Sequence, residues 1–352
     1  MNTLSSPSER LARPERPTAE EVAAQVVAAA VWAPSVHNTQ PWWFRAGGQE
    51  ISLYADATRQ LMVADPGGRE MTISCGAALF TARLALRSLG YIPETRVLPD
   101  PDQPLLIARV SWQRRADPTE YERQLFRWVL QRRTHRGGFG PLPLAPELLT
   151  ALQGGAERDG AMLRIITGEG SRAALAGVVE TAERAMRLDD AYVQELAKWV
   201  SPPGSTRADG VPATAYPALP EHTDPYFPGR DFAHGHGWGL PGFSFGMAAR
   251  SAGAVCLLMT VEDRPADWVN AGQALQRMLL TSATCGVAAA LHSQPLELPW
   301  LREYIRTHWG NGTYPQLLLR LGTVVQATAS VRRPSATVLA PSGGEPPGAG
   351  HE

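Results

Sequence analysis

The stretch Ala33-Pro-Ser-Val-His-Asn-Thr-Gln-Pro-Trp42 decides how the rest of this chain is interpreted. Pro34 is expected to end the helix before it, and Pro41 forces the backbone to extend before an aromatic strand. Between the two prolines, small polar side chains present hydroxyl and amide groups on an exposed turn. The Asn38 and Gln40 amides can both donate and accept hydrogen bonds, which suits a polar heterocycle or a polyol. From the residues alone, an ordinary helix-to-strand connection fits the segment equally well.

Two helix starts flank this segment. Thr18-Ala-Glu-Glu21 has the form of a capping box, in which the threonine hydroxyl and the glutamate carboxylate satisfy free backbone amides. Asp117-Pro118-Thr119 is a second start signal. Both are followed by apolar residues at helical spacing: Val22, Val26 and Ala30 after the first, and Tyr121, Leu125 and Val129 after the second. We place a boundary between two halves of the chain close to residue 117.

The two halves share a sequence element. Gly76-Ala-Ala-Leu79 is expected to open an apolar helix that closes at Gly90, and Gly272-Gln-Ala-Leu275 one that closes at Gly286, with the same spacing of 14 residues. An apolar strand candidate follows each helix, at 105–110 and at 317–321. The pattern indicates a tandem duplication. The alternative is two unrelated core helices that end in ordinary glycine caps.

Composition excludes several function classes. The chain has 352 residues, 44% of them hydrophobic, and a formal net charge of -1, so nothing draws it to nucleic acid or an anionic membrane. Three widely spaced cysteines predict no disulfide framework, and the N-terminus lacks the apolar run of a signal peptide. We therefore expect a cytoplasmic protein. Lys198 is the only lysine, so arginine is the default cation and must be placed by a motif before it counts as a ligand.

Three segments depart from the rest in composition. Residues 1–17 and 339–352 are rich in Pro, Ser, Gly and charge, and we expect them to be disordered tails. Residues 201–245 hold many prolines and glycines with little periodicity. A stretch of this kind inside a globular chain is usually a functional lid or disordered. Its aromatic residues favour a packed lid: Tyr216, Tyr226, Phe227, Phe232 and Trp238.

The segment Arg132-Arg-Thr-His-Arg136 is a candidate anion site. Alternate side chains on an extended segment point the same way, so Arg132, Thr134 and Arg136 could converge on one phosphate. Guanidinium groups bind phosphate oxygens in pairs of hydrogen bonds.

Together these segments resemble the nitroreductase family. The first matches the family's A-P-S-x-x-N-x-Q-P-W signature, and the second its R-x-[ST]-x-[RK] phosphate motif. The strand at 317–322 followed by Val331-Arg-Arg-Pro334 is similar to the family's C-terminal ending. The resemblance implies one FMN, with NAD(P)H as the reductant. The flavin itself would carry the chemistry, so no catalytic residue and no metal ligand is implied.

The resemblance also assigns the site. The implied FMN ligands are Pro34, Ser35, His37, Asn38, Gln40, Arg132, Arg133, Thr134, Arg136, Leu291, His292, Ser293, Arg332 and Arg333. The segment from Val287 to Gln294 would lie against the flavin ring near N5. Family members often have a Glu-Gly pair there, whereas this chain has Ser293-Gln294.

The distribution of motifs between the halves implies an architecture. The first motif occurs only in residues 18–116, and the arginine motifs only in residues 117–338. A fused pseudo-dimer would then keep one complete flavin site, as in the Acg-type branch of the family, in which a lid can cover the flavin. The implied fold is α+β, with two nitroreductase-like halves, each a mostly antiparallel sheet packed with helices. We expect a monomer, because the covalent repeat supplies the usual dimer interface.

Two functions follow, and one distant alternative. The first is an FMN-dependent oxidoreductase that passes electrons from NAD(P)H to a small molecule. The second is an FMN-binding or sequestering protein whose lid blocks the nicotinamide. Gly242-Phe-Ser-Phe-Gly246 fits a hydrolase nucleophile elbow, but no strand is expected before it. His222, His234 and His236 could suggest a metal site, but His-Gly-His is too flexible and lacks acids or thiols at ligand spacing. The glycine pairs form no dinucleotide-binding or P-loop motif.

Overall fold

The computed structural model describes residues 17–202, 204–215, 222–232, 250–324 and 330–340. Its helices are α1 (Ala19–Ala30), α2 (Arg69–Ser88), α3 (Glu120–Trp128), α4 (Pro146–Arg158), α5 (Glu169–Arg187), α6 (Asp190–Lys198), α7 (Pro265–Thr284), α8 (Gln294–Glu297) and α9 (Pro299–Ile305). Its strands are β1 (Trp42–Gly47), β2 (Glu50–Ala55), β3 (Tyr91–Val97), β4 (Leu106–Arg115), β5 (Met162–Ile165), β6 (Val200–Ser201), β7 (Val211–Pro212), β8 (Thr223–Asp224), β9 (Arg250–Ser251), β10 (Ala254–Thr260), β11 (Val287–Leu291), β12 (Tyr314–Thr323) and β13 (Leu339–Ala340).

Two sheets form the framework. One has five strands in the order β13-β1-β2-β4-β3, and the other has four in the order β11-β12-β10-β5. The pairs within the second sheet are antiparallel, as are β1 with β2, β2 with β4, and β3 with β4. The fold class is therefore α+β with antiparallel sheets, as the resemblance implied.

The C-terminal segment crosses to the first sheet. Strand β13 pairs in parallel with β1, where Leu339 lies opposite Phe44. The predicted tail boundary at residue 338 is therefore two residues too early. Val338 is buried in the core beneath the first sheet, and this apolar anchor holds the next two residues on the strand edge. Composition could not reveal this pairing, because the partner strand lies almost 300 residues earlier in the sequence.

Helices α2 and α7 join the two sheets. Helix α2 packs on strands of the first sheet, α7 packs on strands of the second, and the two helices pack against each other. They touch where neither has a side chain, because a Cβ on Gly272 would lie 2.0 Å from the Ile73 carbonyl oxygen and one on Gly76 would lie 2.3 Å from the Val269 carbonyl oxygen. We expected these glycines to open the two helices, but both lie inside them. The matched positions support the predicted duplication.

The capping box predicted at Thr18 is confirmed, and the start signal predicted at 117–119 is a capping box as well. Thr18 and Glu21 cap α1, and Thr119 and Glu122 cap α3, each through a reciprocal pair of side-chain to backbone hydrogen bonds. The local sequence signals therefore located the starts of both helices correctly.

The predicted lid is described only in part. Phe227 and Phe232 are buried, which agrees with packing of this part of the segment. Tyr216, Trp238, His234, His236 and residues 242–246 lie outside the described residues. Among the described helices, none combines the length and the apolar character needed to cross a bilayer.

Candidate functional site

A cleft brings together segments that are far apart in the sequence. It encloses about 910 Å³ of space between atoms, part of it open to solvent. The 34–37 turn, the 134–136 segment, the end of β11 and the 229–232 segment line it. A smaller space shares Pro34, Ser35, Thr134 and Arg136 with the cleft and adds four residues: Asn38, Arg133, Ser330 and Arg332. We call the smaller space the basic end and the larger one the broad end.

The segment after α3 is placed by a single bridge to β11. Thr134 pairs with Ala289 in parallel, and the His135 amide donates a 2.8 Å hydrogen bond to the Ala289 carbonyl oxygen. Arg132 lies beyond α3 but is tied to the end of the helix, because its amide donates to the Trp128 carbonyl oxygen. The expected alternation along the segment is therefore wrong in one respect. Arg133 lines the basic end with Thr134, whereas Arg132 lines an adjacent pocket behind the segment.

Three arginines line the basic end, and Arg132 lies in the adjacent pocket beside it. Arg132, Arg133, Arg136 and Arg332 have no carboxylate within salt-bridge distance among the described residues. Burial lowers the pKa of Arg136 to about 10. Burial and the neighbouring charges lower that of Arg132 to about 10 and hold that of Arg332 well below its usual value. Buried cations that repel one another in this way indicate a binding site for an anion.

Unused hydrogen-bond donors point to the same conclusion. The Nε and Nη1 groups of Arg132 and the Nε group of Arg332 are buried and have no partner within the described part of the chain. Buried guanidinium groups in folded proteins nearly always have such partners. The donors therefore have the chemistry to bind phosphate oxygens.

The side chains of Asn38 and Gln40 bond to other parts of the protein, and of the two only Asn38 lines the basic end. Asn38 donates to the Gly210 carbonyl oxygen at 3.0 Å and accepts from Arg332 Nη1 at 2.9 Å. Gln40 is fully buried, donates to the Ala208 carbonyl oxygen and accepts from the Arg333 amide. These amides thus fasten the 208–210 and 331–333 segments to the first motif. Neither Gln40 nor Arg333 lines the cleft, and Asn38 orients the Arg332 guanidinium group.

The turn itself is held in an unusual backbone conformation. His37, Asn38 and Gln40 all have positive φ, at 46°, 57° and 50°. Residues other than glycine rarely adopt this conformation, and it costs roughly 1 kcal/mol or more at each position. The hydrogen bonds of both amides offset part of this cost, which explains why the motif needs Asn and Gln at these two positions.

The broad end combines apolar walls with neutral imidazoles. Burial, Arg230 and Arg136 hold the pKa of His37 well below its usual value. Burial, Arg320 and Arg230 do the same for His292, whose Nε2 accepts a 2.8 Å hydrogen bond from Arg320 Nε. Both rings are therefore neutral at neutral pH. The other predicted lining residues, Leu291 and Ser293, also lie here.

Residues 229–232 of the segment predicted as a lid line the broad end, and we call them the closing segment. Arg230 forms an ion pair with Glu297, whose side chain is 0% exposed, and donates to the Ser293 hydroxyl at 2.9 Å. The Asp231 amide donates to the Glu183 carboxylate at 2.8 Å. Residues 229–232 are therefore fixed to helices α5 and α8 by buried charges.

Sequence reasoning missed several lining residues: Glu70, Ile73, Ser74, His135, Arg230, Leu275, Leu317 and Arg320. A signal was present for Arg320, because a single arginine inside the apolar run of β12 must find partners in the core. It bonds the Ala252 carbonyl oxygen at 3.1 Å as well as His292. Nothing in the sequence around Glu70 separates it from an ordinary exposed residue in the first turn of a helix.

Comparisons with known proteins show the family. The Mycobacterium tuberculosis H37Rv protein named "Putative NAD(P)H nitroreductase Rv3131" is 34% identical over 307 residues, which cover 87% of this chain and 86% of the relative. A second protein of that strain, named "Uncharacterized protein Rv3127", is 30% identical and matches 87% of this chain and 89% of its own length. The protein named "Putative NAD(P)H nitroreductase acg" is 27% identical, with 91% of this chain and 96% of the relative covered. No family model matches the chain.

Among solved structures, one described as "a putative nitroreductase from Anabaena variabilis" matches 88% of this chain and 90% of its own, with a TM-score of 0.42 and 11% identity. A nitroreductase with bound FMN from Desulfitobacterium hafniense matches 59% of this chain and 92% of its own, with a TM-score of 0.36 and 13% identity. The extent and identity of the sequence matches decide the assignment: the chain belongs to the nitroreductase family and is Acg-like.

Proposed function

We propose that the chain binds FMN, with its phosphate at the basic end of the cleft and its ring in the broad end. The observation that carries this proposal is the cluster of Arg132, Arg133, Arg136 and Arg332 without a carboxylate among the described residues. A phosphate dianion would neutralise two of these charges and accept their unused hydrogen bonds.

The residues present fit such a group on both sides. The basic end supplies guanidinium donors together with Ser330 and Thr134. The broad end supplies apolar surface from Ile73, Leu275 and Leu317, as a flat aromatic ring requires. When bound, FMN would supply hydride transfer at its ring, and the protein would orient it and exclude water.

We further propose that the protein is an oxidoreductase that passes electrons from NAD(P)H through the flavin to a small molecule. The names of its relatives support this activity. In this function His37 and His292 stay uncharged and shape the broad end, while Arg136 places a positive charge between the two ends of the cleft.

A second function is supported by the closing segment. Arg230 and Phe232 line the broad end, and the Arg230–Glu297 ion pair fastens them in a buried position. A segment held in this way would exclude a nicotinamide from the ring. The chain would then bind FMN tightly but reduce it slowly, as a flavin-sequestering protein does.

One experiment tests the first proposal and separates the two functions. The purified protein is expected to be yellow and to release FMN when denatured. Mixing with NADPH in a stopped-flow instrument, followed at the flavin absorption band, gives fast bleaching for the oxidoreductase and an unchanged spectrum for the sequestering protein. A colourless protein that does not take up added FMN would refute both functions.

Weakening the fastening of the closing segment is expected to speed flavin reduction. Glu297→Gln keeps the shape of the side chain but removes the charge that holds Arg230. If the segment is the barrier, this variant bleaches faster than the wild type at the same NADPH concentration, because the open form is more populated. Glu303→Gln, at an exposed position on α9, is the matched control. Equal rates in all three proteins would show that the segment does not limit access.

A further inference from the structure

Glu70 is a buried acid in the wall of the cleft that no motif accounts for. It lies in the first turn of α2, is 4% exposed and lines the broad end beside Ser74 and Ile73. Its Oε1 atom accepts a 2.9 Å hydrogen bond from Arg69 Nη2. Its Oε2 atom is buried and has no partner among the described residues. Glu70 thus lines the cleft with one carboxyl oxygen that no described residue pairs.

The groups around Glu70 decide its protonation. Two other buried acids face it, Glu297 from α8 and Asp65 from the loop before α2, against the cations Arg69 on its own helix and Arg230 on the closing segment. Arg230 is already paired with Glu297, and Arg69 also donates to the Gln316 carbonyl oxygen at 2.8 Å. Burial, followed by the charge of Glu297, raises the pKa of Glu70 well above its usual value.

Four other charged or titratable groups that line the broad end do not reverse this balance, and the ring of a fifth, His135, is engaged by the Gly138 carbonyl oxygen at 2.9 Å. His37 and His292 are neutral, because burial lowers the pKa of each. Arg320 is engaged by His292 and the Ala252 carbonyl oxygen, and Arg136 lies at the boundary with the basic end. A carboxyl group in such surroundings keeps its proton and becomes a hydrogen-bond donor.

We propose that Glu70 acts as a neutral carboxylic acid whose free Oε2 side donates a hydrogen bond to a carbonyl-type oxygen or a ring nitrogen of the molecule bound in the broad end. The assignment rests on the proposed function, in which that molecule is FMN. It makes Glu70 a binding residue for the ring, and it links occupancy of the cleft to the proton that Glu70 holds.

The sign of the pH dependence follows from this link. If only the protonated form donates to the ligand, binding raises the pKa of Glu70 further. FMN affinity is then constant below the pKa of Glu70 in the free protein and falls above it, by about tenfold per pH unit for one linked proton. His37 and His292 do not titrate in this range, and the arginines with pKa values of about 10 lose their protons only at higher pH.

The test compares three proteins in FMN titrations from slightly acidic to alkaline pH. Glu70→Gln keeps a donor but cannot ionise, so its affinity is expected to match that of the wild type at low pH and to lose the alkaline decline. Glu70→Ala is expected to bind about tenfold more weakly at low pH, because one hydrogen bond is gone. The control is Glu147→Gln, an exposed acid in the first turn of α4, which should keep the full pH dependence.

An infrared measurement on the wild type needs no variant. The C=O stretch of a protonated buried carboxyl group is expected at neutral pH, and it should shift when FMN is added. Its absence, or a band that does not move while FMN binds, overturns the role of Glu70 and leaves FMN binding intact. The same holds for a Glu70→Gln protein that keeps the alkaline decline. A wild-type protein that binds no FMN overturns the proposed function, and the assignment of Glu70 falls with it.

Discussion

Arg136→Ala is expected to weaken FMN binding about 10- to 100-fold, because a charge-assisted hydrogen bond of roughly 1.5–3 kcal/mol is lost. Arg136 lines both ends of the cleft, and its only hydrogen bond to a described residue is a long one of 3.4 Å to the Ala215 carbonyl oxygen. Fluorescence quenching of FMN on titration with the apoprotein measures the change. Arg114→Ala, on an exposed part of β4, is the control and should bind FMN like the wild type.

A substitution of Arg136 is also expected to raise the stability of the FMN-free protein while it lowers FMN affinity. Burial lowers the pKa of Arg136 from its usual value to about 10, so the charged form costs on the order of 3 kcal/mol in the empty protein. Arg136→Met removes that charge and keeps much of the side-chain volume. The FMN-free variant is therefore expected to be more stable to urea than the FMN-free wild type, although it binds FMN more weakly.

A structural arginine would behave differently. If Arg136 held the fold together, both substitutions would lower stability, and affinity would fall only with the loss of folded protein. Unchanged FMN affinity in a folded Arg136→Ala protein would remove this residue from the phosphate site.

Gly272→Ala is expected to destabilise the protein by about 2 kcal/mol or more. A Cβ at this position lies 2.0 Å from the Ile73 carbonyl oxygen and 2.8 Å from the Gly76 Cα atom. Both contacts are to backbone, so no side-chain rotation can relieve them, and overpacking of this kind costs roughly 1–3 kcal/mol or more. The gain of about 1 kcal/mol from replacing a helical glycine is smaller. Urea unfolding of the purified protein measures the difference.

Helix α5 provides the matched control. Gly177 lies in its interior on an exposed face, and nothing is found within 4 Å of a Cβ built there. Gly177→Ala is expected to stabilise the protein by roughly 0.5–1 kcal/mol, because only the helix propensity changes. If both substitutions stabilise the protein, then α2 and α7 are not in backbone contact at Gly76 and Gly272.

Local signals in the sequence were enough for some elements. The starts of α1 and α3 depend on capping boxes four residues long. Because all the partners are local, the starts of both helices could be predicted without knowing the sheet on which each helix packs. Helix α2 has no such signal, since its N-cap residue is Gly68, which has no side chain to cap the helix. The helix start predicted at Gly76 is therefore wrong, because Gly76 marks the crossing of α2 with α7.

The residues of the candidate site could be predicted where they belong to a sequence motif. They could not be predicted where their roles depend on tertiary contacts. Arg133, Thr134, Arg136 and Arg332 meet at one end of the cleft, as the motifs implied. The partners of Asn38 and Gln40 lie 172 and 168 residues away in the sequence, so no local pattern could show that they bind the protein itself. Glu70 was missed for the same reason, because its role depends on Glu297 from another helix.

The crossing of the C-terminal segment onto the first sheet sets an order of events during synthesis. Arg332 reaches the basic end only after β12 is complete, and β13 then seals the edge of a sheet whose other strands left the ribosome long before. A nascent or truncated chain that stops after residue 324 holds both frameworks but lacks one of the four cations. We therefore expect the complete basic end only once the C-terminal segment has been made, and removal of this segment is expected to weaken both the proposed ligand binding and the edge of the first sheet.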